Sequence, residues 1–125
     1  MTDRASRRAV GTHYEEEAAR YLEQQGYQIL ERNFFSRYGE IDLIAKDEDT
    51  LVFVEVKYRK NNKKGGAAAA VSTAKQKTIS RVADYYMKVH GIRADQSVRF
   101  DVVAFDGEEM ELIRDAFAYA GNVRF

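Results

Sequence analysis

The stretch GEIDLIAKDEDTLVFVEVKYRK, residues 39–60, decides how this chain is read. Two runs inside it, Ile41–Ala45 and Leu51–Lys57, have the apolar, β-branched character of strands that belong in a protein interior. Each nevertheless carries charge: Asp42 in the first, Glu55 and Lys57 in the second. An unpaired buried charge costs several kcal/mol, so such residues have ionic partners, a metal or a chemical task. Side chains alternate along a strand, so Glu55 and Lys57 project from one face. The connection KDEDT suits a hairpin, and a hairpin of this length brings Asp42 beside Glu55. Two neighbouring carboxylates repel unless a cation lies between them, and hard oxygen ligands select Mg²⁺ or Mn²⁺. A lysine on the same face orients a water or neutralises charge developing on a phosphate. The same pattern is also satisfied by a Glu55–Lys57 or Asp42–Lys57 ion pair at a sheet edge.

Outward from this stretch, the composition bounds the answer. With 125 residues, 45% of them hydrophobic, the chain is expected to form one domain with a substantial core. It has no cysteine, which removes disulfides and thiolate metal sites and points to a cytoplasmic protein. The opening MTDRASRRAV lacks the apolar run of a secretory signal, and no stretch is long and apolar enough to span a membrane. Net charge is zero, but residues 57–99 hold eleven Lys and Arg against Asp84 and Asp95, a local balance of +9. The remainder is therefore −9. Such asymmetry suggests a basic face toward a polyanion, although charge runs are often only solvated surface.

The spacing of Tyr14, Ala18, Tyr21 and Leu22 predicts a helix over 9–25, ended by Gly26. Residues 1–8 are expected to be flexible. A short strand from Tyr27 to Leu30 and a loop through Asn33–Gly39 follow. After the two central strands, 59–69 reads as a mobile basic loop. A second helix is expected from about Ala70 to His90, burying Val71, Ile79, Val82, Tyr86 and Val89 and ending at Gly91. Val98–Phe105 is a fourth strand and Met110–Ile113 a candidate fifth. The order is α-β-β-β-α-β, an α/β chain with a mixed central sheet flanked by helices.

GEIDLIA, followed by LVFVEVKYR and later RFDVV, resembles the YraN-type family of predicted endonucleases, from Gly11 to about Tyr119. That family is placed in the PD-(D/E)XK nuclease superfamily, with a restriction-endonuclease-like fold and a distant similarity to archaeal Holliday junction resolvases. The resemblance implies that Asp42 and Glu55 are metal ligands, that Lys57 is the catalytic lysine and that the Val56 carbonyl faces the metal. GTHYEEEAARYL matches the family's opening pattern with Glu15 in register, which brings Glu15 into the acidic cluster. Helix geometry alone does not choose between Glu15 and Glu17, since both flank the apolar stripe. Lys75 and Gln76 match a Lys-Gln pair expected to reach the phosphate backbone or buttress the site. Tyr14 departs from the pattern by replacing its second Gly, and KKGGAAAAVSTAKQK replaces a stretch that usually carries Phe-Gly.

The expected function is Mg²⁺- or Mn²⁺-dependent phosphodiester hydrolysis on nucleic acid, DNA that is branched or otherwise structured. Lys60, Lys63 and Lys64 would contact phosphates without reading sequence. Two alternatives keep the fold: a non-catalytic nucleic-acid-binding module and a protein-interaction scaffold. Resolvase-like relatives act as symmetric dimers, so a homodimer is a further expectation. Of the remaining polar residues, Glu40 is read as a surface group paired with an arginine rather than as part of the cluster. Arg37 and Tyr38, just before the second strand, are candidates to touch a phosphate or stack on a base, with core or turn packing the preferred reading of Tyr38. Tyr58 is read as core, and Asp101 as half of a structural salt bridge.

Overall fold

A computed structural model describes residues 4–59, 71–107 and 109–121; side chains are described from Gly11 onward, except at Arg59. The chain runs α1 (Arg4–Gln24), β1 (Gln28–Ser36), β2 (Gly39–Asp47), β3 (Thr50–Arg59), α2 (Thr73–Val89), β4 (Val98–Asp106) and β5 (Glu109–Ile113). The five strands form one sheet in chain order. All neighbours are antiparallel except β3 and β4, which are parallel because α2 carries the chain back between them. The mixed sheet with helices against it is therefore as the sequence predicts.

Apolar alternation along the strands gives the sheet two covered faces. Ala18, Ala19 and Leu22 of α1 pack on Leu43, Val52, Val54 and Val103. Ile79, Val82 and Tyr86 of α2 pack on Ile44, Phe53, Phe100 and Val102. Both helices end in the pattern that a left-handed glycine permits. Tyr27 N–H reaches back to the Leu22 carbonyl past Gly26, and Ile92 N–H to the Met87 carbonyl past Gly91, each at 2.9 Å. Ser72 caps α2 by accepting from the Lys75 amide.

Three elements differ from expectation. The first helix, expected from residue 9, begins at Arg4, in keeping with an Arg- and Ala-rich segment free of Pro and Gly. Asn33–Gly39, expected as a loop, is mostly strand: β1 runs on to Ser36 and turns through Arg37 and Tyr38 into β2. A register shift between Ile29 and Glu31 marks a bulge, and Asn33 has φ +52°, so the alternation that signals a strand is broken in this segment. Val89, expected in the buried stripe of α2, is 57% exposed and lines an open groove instead. Among the described residues, no helix is long and apolar enough to cross a membrane. The expected basic loop at 59–69 lies outside the described residues apart from the backbone of Arg59.

Candidate active site

Asp42 and Glu55 sit where β2 and β3 part. Pairing between these strands runs from Asp47 opposite Thr50 to Leu43 opposite Val54. Beyond that point β2 stays with β1 as far as Gly39, while β3 follows β4 to Arg59. In the fork, the Val56 amide donates to Asp42 Oδ2 at 2.8 Å, a side chain standing in for a backbone rung. Alternation puts Glu55 and Lys57 on the face of Phe53, the side that α2 covers, whereas on β2 both Ile41 and Ile44 pack on that side, so the alternation is broken around Asp42.

Glu55 is only 5% exposed. It lies 3.8 Å from Lys57 Nζ and 3.7 Å from Lys75 Nζ, at the N-terminal end of α2. Its carboxyl is also hydrogen-bonded to that of Asp42. Burial foremost, then the Asp42 charge, push Glu55 up to about 8, against the pull of Lys75 and then of Lys57. At neutral pH this shift favours the protonated form of Glu55.

Two further carboxylates face this pair. Glu15 approaches from α1; partial burial and then the Asp42 charge raise its pKa, while a hydrogen bond from the Asn33 side chain opposes the shift. Asn33 stands opposite Asp42 on β1. Glu17, the other glutamate flanking the stripe, is ion-paired with Arg20 one turn further along. The geometry thus brings Glu15, and not Glu17, to the cluster. Glu40 is likewise raised, by partial burial and then by Asp42, with Lys75 opposing. It belongs to the acidic group, and no arginine pairs with it among the described residues. The sequence held the signal, since Glu40 and Asp42 stand at the period-two spacing that groups side chains on a strand. Asn33 carried no such signal, because its segment reads as loop.

The other expected residues divide. Lys75 is in the cluster. Gln76 braces the entry to α2 by donating to the Val71 carbonyl at 3.1 Å. Lys60, Lys63 and Lys64 lie outside the described residues. Tyr58, expected in the core, is 42% exposed. It stacks on Tyr14 with centroids 4.3 Å apart, and the strand end leaves its other side to solvent. Tyr14, the departure from the family pattern, fills the α1 face between Tyr58 and Phe105. Asp101 is structural, as expected. Fully buried on the α1 face, it accepts from Tyr27 at 2.6 Å, from Arg99 Nε at 2.9 Å and from the Asp115 amide at 2.9 Å.

Among the described residues, no three His, Cys, Asp or Glu side chains are arranged to close around an ion. Glu15, which the resemblance makes a ligand, stands beside the Asp42–Glu55 pair and is tied to Asn33. The pair itself suits a hard divalent cation. Its donors are all oxygen, and the four carboxylates outnumber the two lysines. Mg²⁺ commonly takes one or two carboxylates and completes its shell with water or phosphate oxygen.

Residues 14–105, from Tyr14 beside Glu15 to the end of β4, match the model of the uncharacterised protein family UPF0102. The chain belongs to UPF0102. A UPF0102 protein of Lachnoclostridium phytofermentans is 45% identical over 117 residues, covering 94% of this chain and 99% of its own. One from Aeromonas hydrophila is 48% identical over 108 residues, covering 86% of this chain and 83% of its own. One from Janthinobacterium sp. strain Marseille is 45% identical over 116 residues, covering 93% of each. The UPF0102 match spans the whole fork: Glu15, Asp42, Glu55, Lys57 and Lys75 all fall inside it.

Proposed function

We propose that this UPF0102 protein is a metal-dependent phosphodiester hydrolase acting on nucleic acid, an endonuclease of the kind its strand motifs resemble. The observation that carries this reading is Glu55: a buried carboxyl pressed against Asp42 with Lys57 and Lys75 at its side. As pure structure, a buried carboxyl apposed to a second, half-buried one destabilises a sheet; as a site for Mg²⁺ or Mn²⁺ the pair is what the chemistry requires.

Asp42 and Glu55 would hold the ion, and the Val56 amide fixes Asp42 by donating to Oδ2. The bound ion supplies Lewis acidity to a phosphate oxygen and a lowered pKa for water. Lys57, 36% exposed at the mouth of the fork, presents its ammonium to the attacking water and to the charge that builds on the phosphate. Lys75 lies on the other approach to Glu55, compensating the pair before substrate arrives and meeting the phosphate backbone afterwards. Glu15 and Glu40 adjust the charge around Asp42 without closing on the ion.

Cleavage of labelled junction, flap, single-stranded and duplex DNA with Mg²⁺ and then Mn²⁺ tests this, wild type beside Lys57→Ala. Loss of a catalytic lysine should lower the rate at least about 100-fold. No cutting by the wild type, with binding retained, would leave the non-catalytic module. Cutting that survives unchanged in Lys57→Ala would remove Lys57 from the chemistry.

A further inference from the structure

Beside the fork, the β1–β2 turn leans on α2, and the two build a surface that hydrolysis does not use. An open groove of about 880 Å³ runs there, lined by Arg37 and Tyr38 from the turn and by Lys77, Arg81, Tyr85 and Lys88 from α2. Asp84 is the acidic side chain of the lining, and the Tyr119 hydroxyl donates to it. Four cations face one engaged carboxylate. The aromatic rings are interleaved with the charges. Arg37 and Arg81 place their guanidinium carbons 4.9 and 5.5 Å from the Tyr38 ring centre, and Tyr85 meets that ring edge-on at 5.7 Å. Arg37 also donates to the Tyr38 hydroxyl at 2.7 Å. Tyr85, Arg81 and Lys88 are exposed. From Lys77 to Lys88 the helix rises roughly 16 Å, a few nucleotides of an extended strand.

The chemistry of this face selects its occupant. Lysines alone would suit any polyanion, duplex included, because a duplex hides its base faces and offers phosphates. Rings set among arginines suit bases that are already unstacked, since each base has a π-face to lay on a tyrosine. We propose that the α2–hairpin face is a platform for single-stranded nucleic acid. Bases stack on Tyr38 and Tyr85, and phosphates lie along Arg81 and Lys88. An entering base takes the place of the exposed Arg37 guanidinium on the Tyr38 ring, and Arg37 turns to the phosphate. The groove adjoins the acidic fork through Thr78, against which Gly39 packs, one residue from Glu40. A strand held there leads into the fork, so the substrate class is nucleic acid with an unpaired stretch next to the cut. That last step rests on the nuclease reading; the platform itself does not.

The test is fluorescence anisotropy of a labelled twelve-nucleotide oligothymidylate and of a duplex of equal length, with the full chain in EDTA. Wild type, Tyr38→Ala, Tyr38→Phe and Arg81→Ala are compared. Tyr38→Ala is expected to weaken single-strand binding about 5- to 100-fold while duplex binding stays within about twofold. Tyr38→Phe, which keeps the ring, is expected to stay within about twofold of wild type on both. Arg81→Ala should weaken both and flatten the salt dependence. Single-strand affinity unchanged in Tyr38→Ala, an equal loss on both ligands, or no single-strand binding by the wild type would overturn the platform. Asp42→Asn separates the two readings, because it should abolish cleavage and spare oligothymidylate binding. Should the Tyr38 pattern appear without any cleavage, the nuclease reading fails alone; cleavage without the Tyr38 pattern fails the platform alone.

Discussion

Glu55 concentrates the chemistry of the molecule in one side chain, and its pH dependence follows from where it sits. In the unfolded chain it titrates near the ordinary 4.5, whereas in the folded protein burial and Asp42 hold it up to about 8. Below the lower value the group is protonated in both states, and folding costs nothing on its account. As pH rises, only the unfolded chain releases the proton, so stability falls until the folded group ionises as well, near 8. Glu15 and Glu40 are raised too and add in the same direction. Without divalent ions, the wild type should lose on the order of 2–3 kcal/mol between pH 5 and 8 relative to Glu55→Gln, measured by urea unfolding. Parallel stability curves for the two proteins would mean that Glu55 is an ordinary, solvated carboxylate. Much of this was legible in the sequence, because charges at 42, 55 and 57 interrupt strands too apolar to be surface. Glu40 reads as a solvated surface group in the sequence because a glutamate beside a turn usually is one, and nothing in the local pattern says that the Asp42 and Lys75 charges act on it.

At the scale of elements, the β1–β2 hairpin and α2 hold the fork open between them. Gly39 is the contact point: with φ +143°, it leaves space where a Cβ would lie 2.8 Å from Thr78 Cγ2 and 3.5 Å from Val82 Cγ2. Gly39→Ala therefore carries both a backbone and a steric penalty, together about 2–4 kcal/mol. Adding Thr78→Ala should recover the steric share and leave the backbone share, a non-additivity that a double-mutant cycle in denaturant measures directly. A fully additive cycle would show that the two residues do not meet. The hairpin is also where the sequence was least informative. A bulge and a left-handed Asn33 erase the period-two signal that made β2, β3 and β4 plain. The helices were readable from their apolar spacing and from Gly26 and Gly91, whose roles need no tertiary information.

For the whole molecule, the two faces of the sheet divide the work. The α2 face carries Glu55, Lys57 and Lys75, whereas the α1 face carries a second charged network of a different kind. There Arg99 bonds Asp101 and, at 2.8 Å, Asp47, while Tyr27 accepts from Arg114 at 3.0 Å and donates to Asp101. Every member has partners, so this network fastens β2, β4 and the segment after β5 and has no unsatisfied charge to spend on a cation. Asp101→Ala leaves Arg99 half-buried beside the lost carboxylate and should cost about 3–5 kcal/mol, while cleavage by the fraction that remains folded is unchanged. Loss of activity without loss of stability would place Asp101 in the chemistry instead. The fold separates a network in which arginines answer the carboxylates from a cluster in which carboxylate faces carboxylate, and the second is the proposed centre. Titration of the metal-free protein with Mn²⁺ by calorimetry at pH 7, wild type beside Asp42→Asn and Glu55→Gln, tests that claim most directly. One saturable site that either substitution abolishes is the predicted result, and a wild type that binds no Mn²⁺, or variants that bind it equally well, would contradict it.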